Sequence, residues 1–287
     1  MATQPLHLSS AQDVRRAIER ALGCSLADAQ LESAGTGARN TLWRIHGRGY
    51  EWMARVARPH PDLDLDVEQE YAAHAAAARA GIAPAVVLTE PAQRLLVMQA
   101  VPGAPWSAAD VRARITQLAA RVRELHTLAA PLELAAFDLV EGVLALIARA
   151  DNSAPVDLNL ERLRVRTTEL AARHRPAERM VFCHNDLHHL NLLGEQPLVV
   201  DWEYAARGDP RVDLAALATY HDLDTQQRAE LLRVYGGVWG REEFDVVCAL
   251  FDALHIAWLV AAGVWEETQV ARRATLMARV GMQGNSR

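Results

Sequence analysis

Apolar positions along this chain follow a helical spacing, then an alternating one, then a helical one again. Ser10 with Asp13 three places on, apolar Val14, Ile18 and Leu22, and a closing Gly23 predict a capped first helix. From Leu31 the spacing becomes that of strands. Residues 42–45 and 52–56 flank the turn Gly47-Arg48-Gly49 and read as a hairpin with one covered and one open face. Residues 66–79, rich in Ala and stopped by Gly81 and Pro84, predict a helix, and 86–88 and 95–101 predict two more strands. Two prolines and a glycine in Val101-Pro102-Gly103-Ala104-Pro105 break both kinds of structure and mark a boundary. Beyond it, 107–128, 139–148, 158–174 and segments from 212 to about 279 carry helical spacing, interrupted only by short strands at 180–183, 192–193 and 198–200. The pattern predicts an α+β protein of two lobes: a small β-rich N-terminal lobe over 1–101 and a larger, mostly helical C-terminal lobe over 102–287.

Composition narrows what such a chain does. With 51% hydrophobic and 23% charged residues over 287 positions it has enough apolar side chains for one large core or two smaller ones. No apolar run approaches the roughly 18 residues of a membrane helix, and Met1 to Ser10 lacks the basic-then-apolar order of a secretory signal. Cys24, Cys183 and Cys248 are odd in number and widely spaced, which indicates neither a disulfide framework nor a thiolate metal site. A cytoplasmic protein is expected. A net charge of −6 without a basic stripe argues against a nucleic-acid partner and for a small molecule. All 30 basic residues are Arg. The absence of Lys excludes a Walker P-loop, a pyridoxal phosphate Schiff base and Ser-x-x-Lys acyl enzymes, and any cation on a phosphate must be Arg.

The candidate chemistry lies at 181–201. Val-Phe-Cys-His-Asn-Asp-Leu-His-His-Leu-Asn is followed, ten positions after Asn191, by Asp201 at the end of Leu198-Val199-Val200. This His-x-Asp-Leu-x-x-x-Asn order with a later strand-end Asp is the catalytic and metal-binding arrangement of a protein-kinase-like fold. Phosphoryl transfer needs one carboxylate to orient the attacking hydroxyl and oxygen ligands to hold Mg2+ on the phosphates of ATP. Asp186 is assigned the first role, and Asn191 and Asp201 the second. His184 is expected to be a buried hydrogen-bonding residue and Asp213, after the turn Gly208-Asp209-Pro210, a structural support that accepts backbone N–H groups. A strand cation held by a helix carboxylate must reach the phosphates. Arg55 and Glu70 are the predicted pair, with Glu68 the substitute. Gly35, Gly37 and Asn40 lie before the hairpin, where small residues let backbone N–H groups approach a phosphate; an ordinary flexible turn is the other reading.

These residues resemble the aminoglycoside phosphotransferase and choline kinase superfamily over nearly the whole chain. The His-Asn-Asp of 184–186 is similar to choline and ethanolamine kinases. Asp201-Trp202-Glu203-Tyr204-Ala205 is similar to bacterial choline kinases of the LicA type and bacterial thiamine kinases, which also carry Arg on the phosphate strand. Glu70, eleven positions before Gly81, matches the family's helix Glu, and 97–103 its hinge, which implies adenine binding through backbone groups around Gln99 to Val101. The nucleotide loop departs from the commoner Gly-Gly-x-x-Asn pattern, and Gly208-Asp209-Pro210 and Tyr220-His221 replace the Asn and Glu of the choline kinase pattern.

The resemblance implies an ATP-dependent kinase acting on a hydroxyl of a small cationic metabolite. Choline or ethanolamine comes first, thiamine or an aminoglycoside or amino sugar after it. Glu203 and Tyr204, and Trp258 and Trp265 seven positions apart on an apparent helix with Glu266 and Glu267 beside them, are the predicted acceptor contacts, since aromatic faces and carboxylates hold ammonium groups. Core packing is the competing reading of the two Trp. Readings from other classes are a metal-dependent hydrolase using His184, Asp186, His188 and His189, and an inactive nucleotide-binding pseudokinase. The oligomeric state is not legible.

Overall fold

A computed structural model describes residues 8–36, 40–47, 49–58, 66–150, 155 and 157–282. The chain divides into two compact units, Met1–Pro105 with Leu190–Tyr204, and Trp106–His189 with Ala205–Arg287.

In the first unit, α1 (Ala11–Leu22) starts at a capping box in which Ser10 and Asp13 bond each other's backbone, and stops at Gly23 in the left-handed conformation. Strands β1 (Ala29–Thr36), β2 (Asn40–Gly47), β3 (Tyr50–Ala57), β4 (Val86–Glu90) and β5 (Leu95–Gln99) form an antiparallel sheet in the order β1-β2-β3-β5-β4. Gly47 at the β2 end is required by a close approach, because a Cβ there would lie 2.7 Å from the Asp28 carbonyl oxygen. Alternation sorts β3 between two faces. Ala54 and Val56 join Leu95, Val97 and α1's Val14 and Ile18 in one core cluster, whereas Met53 packs with Leu96, Met98 and Tyr71 of α2 (Val67–Arg79) in another. Arg55 has the parity of Met53, so the pleat turns it to the α2 side. The returning segment adds a two-stranded hairpin, β7 (Leu192–Leu193) with β8 (Leu198–Val199), and Val200 joins the α2-side cluster.

The second unit contains α3 (Ala108–Ala113), α4 (Ile115–Thr127), α5 (Leu139–Ala150), α6 (Leu160–Ala171), α7 (Pro210–Tyr220), α8 (Thr225–Tyr235), α9 (Arg241–Ala261) and α10 (Val270–Val280). Strand β6 (Val181–Cys183) pairs antiparallel with β9 (Ala206–Gly208). Every residue of α7 from Pro210 to Thr219 is buried. Helix α9 is long and apolar enough to cross a membrane, but 67% of its apolar window is buried inside the protein, as in a core helix.

Three features differ from the sequence reading. The single helix expected over 107–128 is two, because Arg114 leaves helical geometry at φ −114°, ψ 28°. The strand β9 was not foreseen; three residues are too few to show alternation. Helix α9 ends at Ala261, before Gly263 at φ 71°, so Trp258 and Trp265 do not share a helix.

Candidate active site

Arg55 organises the predicted residues of the first unit. It is 5% exposed, and its guanidinium forms an ion pair with Glu70 of α2 while Nη2 donates to Asp201 Oδ1 at 2.9 Å and Glu203 Oε2 at 3.3 Å. Burial alone would lower the Arg55 pKa, but Glu70, Asp201 and Glu203 outweigh it and raise it, so the cation is permanent. Glu68, two residues from Glu70 and therefore on another helix face, is exposed, and the pair is made by Glu70.

Asn191 and Asp201 sit at the ends of the β7–β8 hairpin. Val200 donates its N–H to the Asn191 carbonyl at 3.0 Å, and Val199 donates to the Ile82 carbonyl at 2.7 Å, which fixes the base of the hairpin. Asp201 has φ 67°, a conformation uncommon outside Gly but tolerated by Asp, and its side chain is 32% exposed. A buried amide and a partly exposed carboxylate at the base of one short hairpin are hard oxygen donors of the kind Mg2+ takes, and the donor set fits that ion.

In the second unit the 184–189 loop follows β6. Asn185 is left-handed at φ 66°. Asp213, in the first turn of α7 and wholly buried, accepts the N–H groups of His184 at 2.9 Å and Asn185 at 2.6 Å. His126 of α4 bridges Asp213, 3.0 Å from Nε2, and the Tyr235 hydroxyl, 2.9 Å from Nδ1. Burial pushes the Asp213 carboxyl up, yet the His126 hydrogen bond and the other groups around it win, and it stays below the ordinary carboxylate range.

Asp186 is held at both oxygens, by the Tyr220 hydroxyl on Oδ1 at 2.9 Å and by His188 Nε2, 3.4 Å from Oδ2. Burial acts to raise its pKa; the His188 hydrogen bond and charge, His184 and Tyr220 together lower it. Asp186 is therefore ionised at neutral pH and ready to orient a hydroxyl. His184 is fully buried, with Nδ1 accepting the Asp186 N–H at 3.3 Å. Around Asp186, the His188 ring lies 3.4 Å from the carboxylate, while His189 donates its backbone N–H, not its ring, to His221. Among the described residues, His184, Asp186, His188 and His189 do not gather their ligand atoms into one metal-sized group, as a hydrolase's ligand set would. His126, Cys183 and Asp213 do place donor atoms within 4.8 Å of one another, but they are wholly buried and Asp213 already accepts three hydrogen bonds.

The remaining predicted positions are dispersed. Gly35 lies exposed at φ 135° beside a bulge in β1, Asn40 opens β2 with a buried Oδ1, and Gly37 lies outside the described residues. Gln99 and Ala100 donate their N–H groups to Ala85 and Glu51, and Val101 is half-buried. Glu203, assigned from sequence to the acceptor, has a carboxylate oxygen on Arg55; Tyr204 is half-buried. Trp258 is half-buried on α9, three residues beyond His255. Trp265 is 2% exposed, with its indole N–H on Asp157 at 2.8 Å and Arg273 over its ring at 5.6 Å. His126 escaped the sequence reading, and Tyr220 and His221 entered it only as a departure from the choline kinase pattern, with no role in the site. The available signal was a His on the buried face of α4, and a Tyr seven residues after Asp213.

Comparison with known proteins bears on family and fold. Residues 30–246 match the phosphotransferase enzyme family. No curated protein matches the chain by sequence. Among solved structures, the chain is similar to the choline kinase LicA from Streptococcus pneumoniae, with 18% identity, 94% of this chain and 99% of that one covered, and a TM-score of 0.77. A choline/ethanolamine kinase family protein from Mesorhizobium loti has 23% identity, coverage of 94% and 92%, and a TM-score of 0.72. A spectinomycin phosphotransferase, solved with ADP and spectinomycin, has 14% identity, coverage of 95% and 93%, and a TM-score of 0.63.

Proposed function

We infer that this chain, which belongs to the phosphotransferase enzyme family, transfers the γ-phosphoryl group of ATP to a hydroxyl of a small cationic metabolite, a choline- or ethanolamine-like alcohol first. The observation that carries this reading is the guanidinium of Arg55 set between a helix carboxylate, Glu70, and the hairpin carboxylate Asp201. A buried Arg with that company has the requirements of a phosphate cation beside a metal ligand. The first unit is the nucleotide-binding part in this reading. Asn191 and Asp201 would hold Mg2+, which neutralises charge on the phosphates when bound. Arg55 would meet the α- and β-phosphates, Gly35, Gly37 and Asn40 would lie along them, and backbone groups at Gln99 to Val101 would meet adenine.

In the second unit Asp186 would orient and deprotonate the acceptor hydroxyl, with catalysis mostly positioning and electrostatics. His184 and Asp213 support its loop. Of the two Trp assigned to the acceptor, Trp258 remains the candidate in this unit, because Trp265 is enclosed by Asp157 and Arg273. A cytoplasmic place goes with this reading, since the three free cysteines suit a reducing compartment.

An ADP-release assay with choline, ethanolamine, thiamine, kanamycin and neutral sugars at equal concentration tests the reading. Turnover with an amino alcohol, abolished in Asp186→Ala by several orders of magnitude with ATP affinity retained, is the expected result. Activity confined to neutral sugars would overturn the cationic acceptor, and undiminished turnover in Asp186→Ala would overturn the base.

A further inference from the structure

Helix α7 fastens the 184–189 loop at three points. Asp213 takes the N–H groups of His184 and Asn185. Tyr220 follows Asp213 by seven residues, about two helical turns, and so lies on the same face, where its hydroxyl reaches Asp186 Oδ1 at 2.9 Å. His221 meets the Leu217 carbonyl through Nδ1 at 2.8 Å, which places its proton there, and its Nε2 accepts the His189 N–H at 3.1 Å. That acceptance needs a neutral ring. Burial, with His189, His188 and Arg112 nearby, pushes His221 down to about 4 against the opposing Leu217 bond.

The Tyr220 ring is itself fixed. It stands edge-on to Phe251 at 5.4 Å and His255 at 5.0 Å, both on α9, and to His188 at 5.6 Å. Around Asp186 the titratable groups are His184 and His188 on its own loop, Tyr220 on α7 and His255 on α9, and Arg272 of α10 acts on His255. The terminal torsion of an Asp side chain is broad, so a carboxylate without a fixed donor samples many orientations. A hydroxyl donor on a rigid ring removes that freedom.

We propose that Tyr220 is a positioning residue for the base: its hydroxyl, bonded to Oδ1, fixes the orientation of the Asp186 carboxylate that takes the acceptor's proton. The proposal rests on the phosphotransfer reading. In the step, the acceptor O–H bond breaks as its oxygen bonds to the γ-phosphorus, the proton passes to the Asp186 carboxylate, and the bond from that phosphorus to the β–γ bridging oxygen breaks to leave ADP. His188, 3.4 Å from Oδ2, is the second group that holds the carboxylate.

Tyr220→Phe removes one oxygen and keeps the ring contacts. In the full-length variant kcat should fall roughly 10- to 100-fold while KM for ATP stays unchanged, since misplacement of a reacting group costs that order of rate. Independently of any activity, carbon-13 NMR of Asp-labelled protein should show the Asp186 carboxyl, identified by its loss in Asp186→Asn, titrating at a higher pH in Tyr220→Phe, because a donor to the ionised form is gone. An unmoved titration overturns the proposal even if kcat falls, since the loss would then be one of packing. Wild-type kcat in the variant also overturns it. A protein that phosphorylates no alcohol, but whose carboxyl titration still moves, overturns the phosphotransfer reading while the contact itself stands.

Discussion

Arg55 shows how far a single residue is determined by its place in a sheet. Strand parity turned it to the α2 side, and an Arg buried there without partners would be prohibitively costly, so the carboxylates of Glu70, Asp201 and Glu203 are as necessary to the fold as to any ligand. The pairing with Glu70 was legible because the kinase-like arrangement calls for a helix carboxylate beside the strand cation, and Glu70 stands where the family resemblance puts it. The third partner was not, since Glu203 lies 148 residues away and no local pattern reports its direction. Arg55→Ala should destabilise the protein by about 3–5 kcal/mol, the range for removing one partner of a buried ion pair, and weaken ATP binding at the same time. Arg55→Lys should lose less of both, since it keeps the charge and loses the planar fork. Urea denaturation and calorimetric nucleotide titration of the two variants check this. A fully stable Arg55→Ala would mean that water already solvates the three carboxylates.

Helix α7 shows what periodicity reveals and what it hides. Its start was legible from Gly208-Asp209-Pro210, where Asp209 accepts the Arg211 N–H and Pro occupies the first turn. Because the helix is buried on all sides, its sequence has no polar face from which to read which side meets which neighbour. Asp213 was recognisable as a support from its nearness to the helix start, whereas its partner His126 is 87 residues distant and Tyr220 is 34 from Asp186. The break at Arg114 was invisible for a related reason: no Gly or Pro marks it. Asp213→Asn is the telling substitution at this scale. The amide offers one accepting oxygen and turns an NH2 group towards a backbone N–H, leaving one buried donor unsatisfied at a cost of about 1–3 kcal/mol. Amide exchange should therefore accelerate at His184 and Asn185 before it does elsewhere, and kcat should fall with it. Unchanged protection at both amides would show that the loop does not depend on this carboxylate.

Across the whole chain the sequence divided well into a β-rich beginning and a helical remainder, because strand and helix periods differ and 101–105 interrupts both. The return of Leu190–Tyr204 to the first unit was hidden, since a segment of two-residue strands carries no period that names its partner. Global stability, too, has determinants that only the folded molecule shows. Burial pushes His221 and His255 down to about 4 and Asp252 up to about 7. Between roughly pH 6.5 and 4 the unfolded chain binds a proton at each His that the folded state refuses, so stability is lost as pH falls through that window. Asp252 has the opposite sign: folded, it keeps a proton below about 7 that the unfolded carboxyl releases until pH nears 3.8, so its penalty is relieved as pH falls. Two protons against one leave a net loss of stability from these three groups as pH falls across that window. Asp252 is 1% exposed, its nearest cation is Arg279 Nη1 at 3.8 Å, and Arg279 also donates to the Thr219 carbonyl at 3.0 Å, so neutralising the carboxyl does not strand that cation. Asp252→Asn should therefore stabilise the protein at pH 8, where the buried carboxylate is ionised, and by a smaller margin at pH 5, where the wild type has already taken up the proton. Urea denaturation at the two pH values measures the difference, and an equal gain at both would show that Asp252 does not titrate in the folded state.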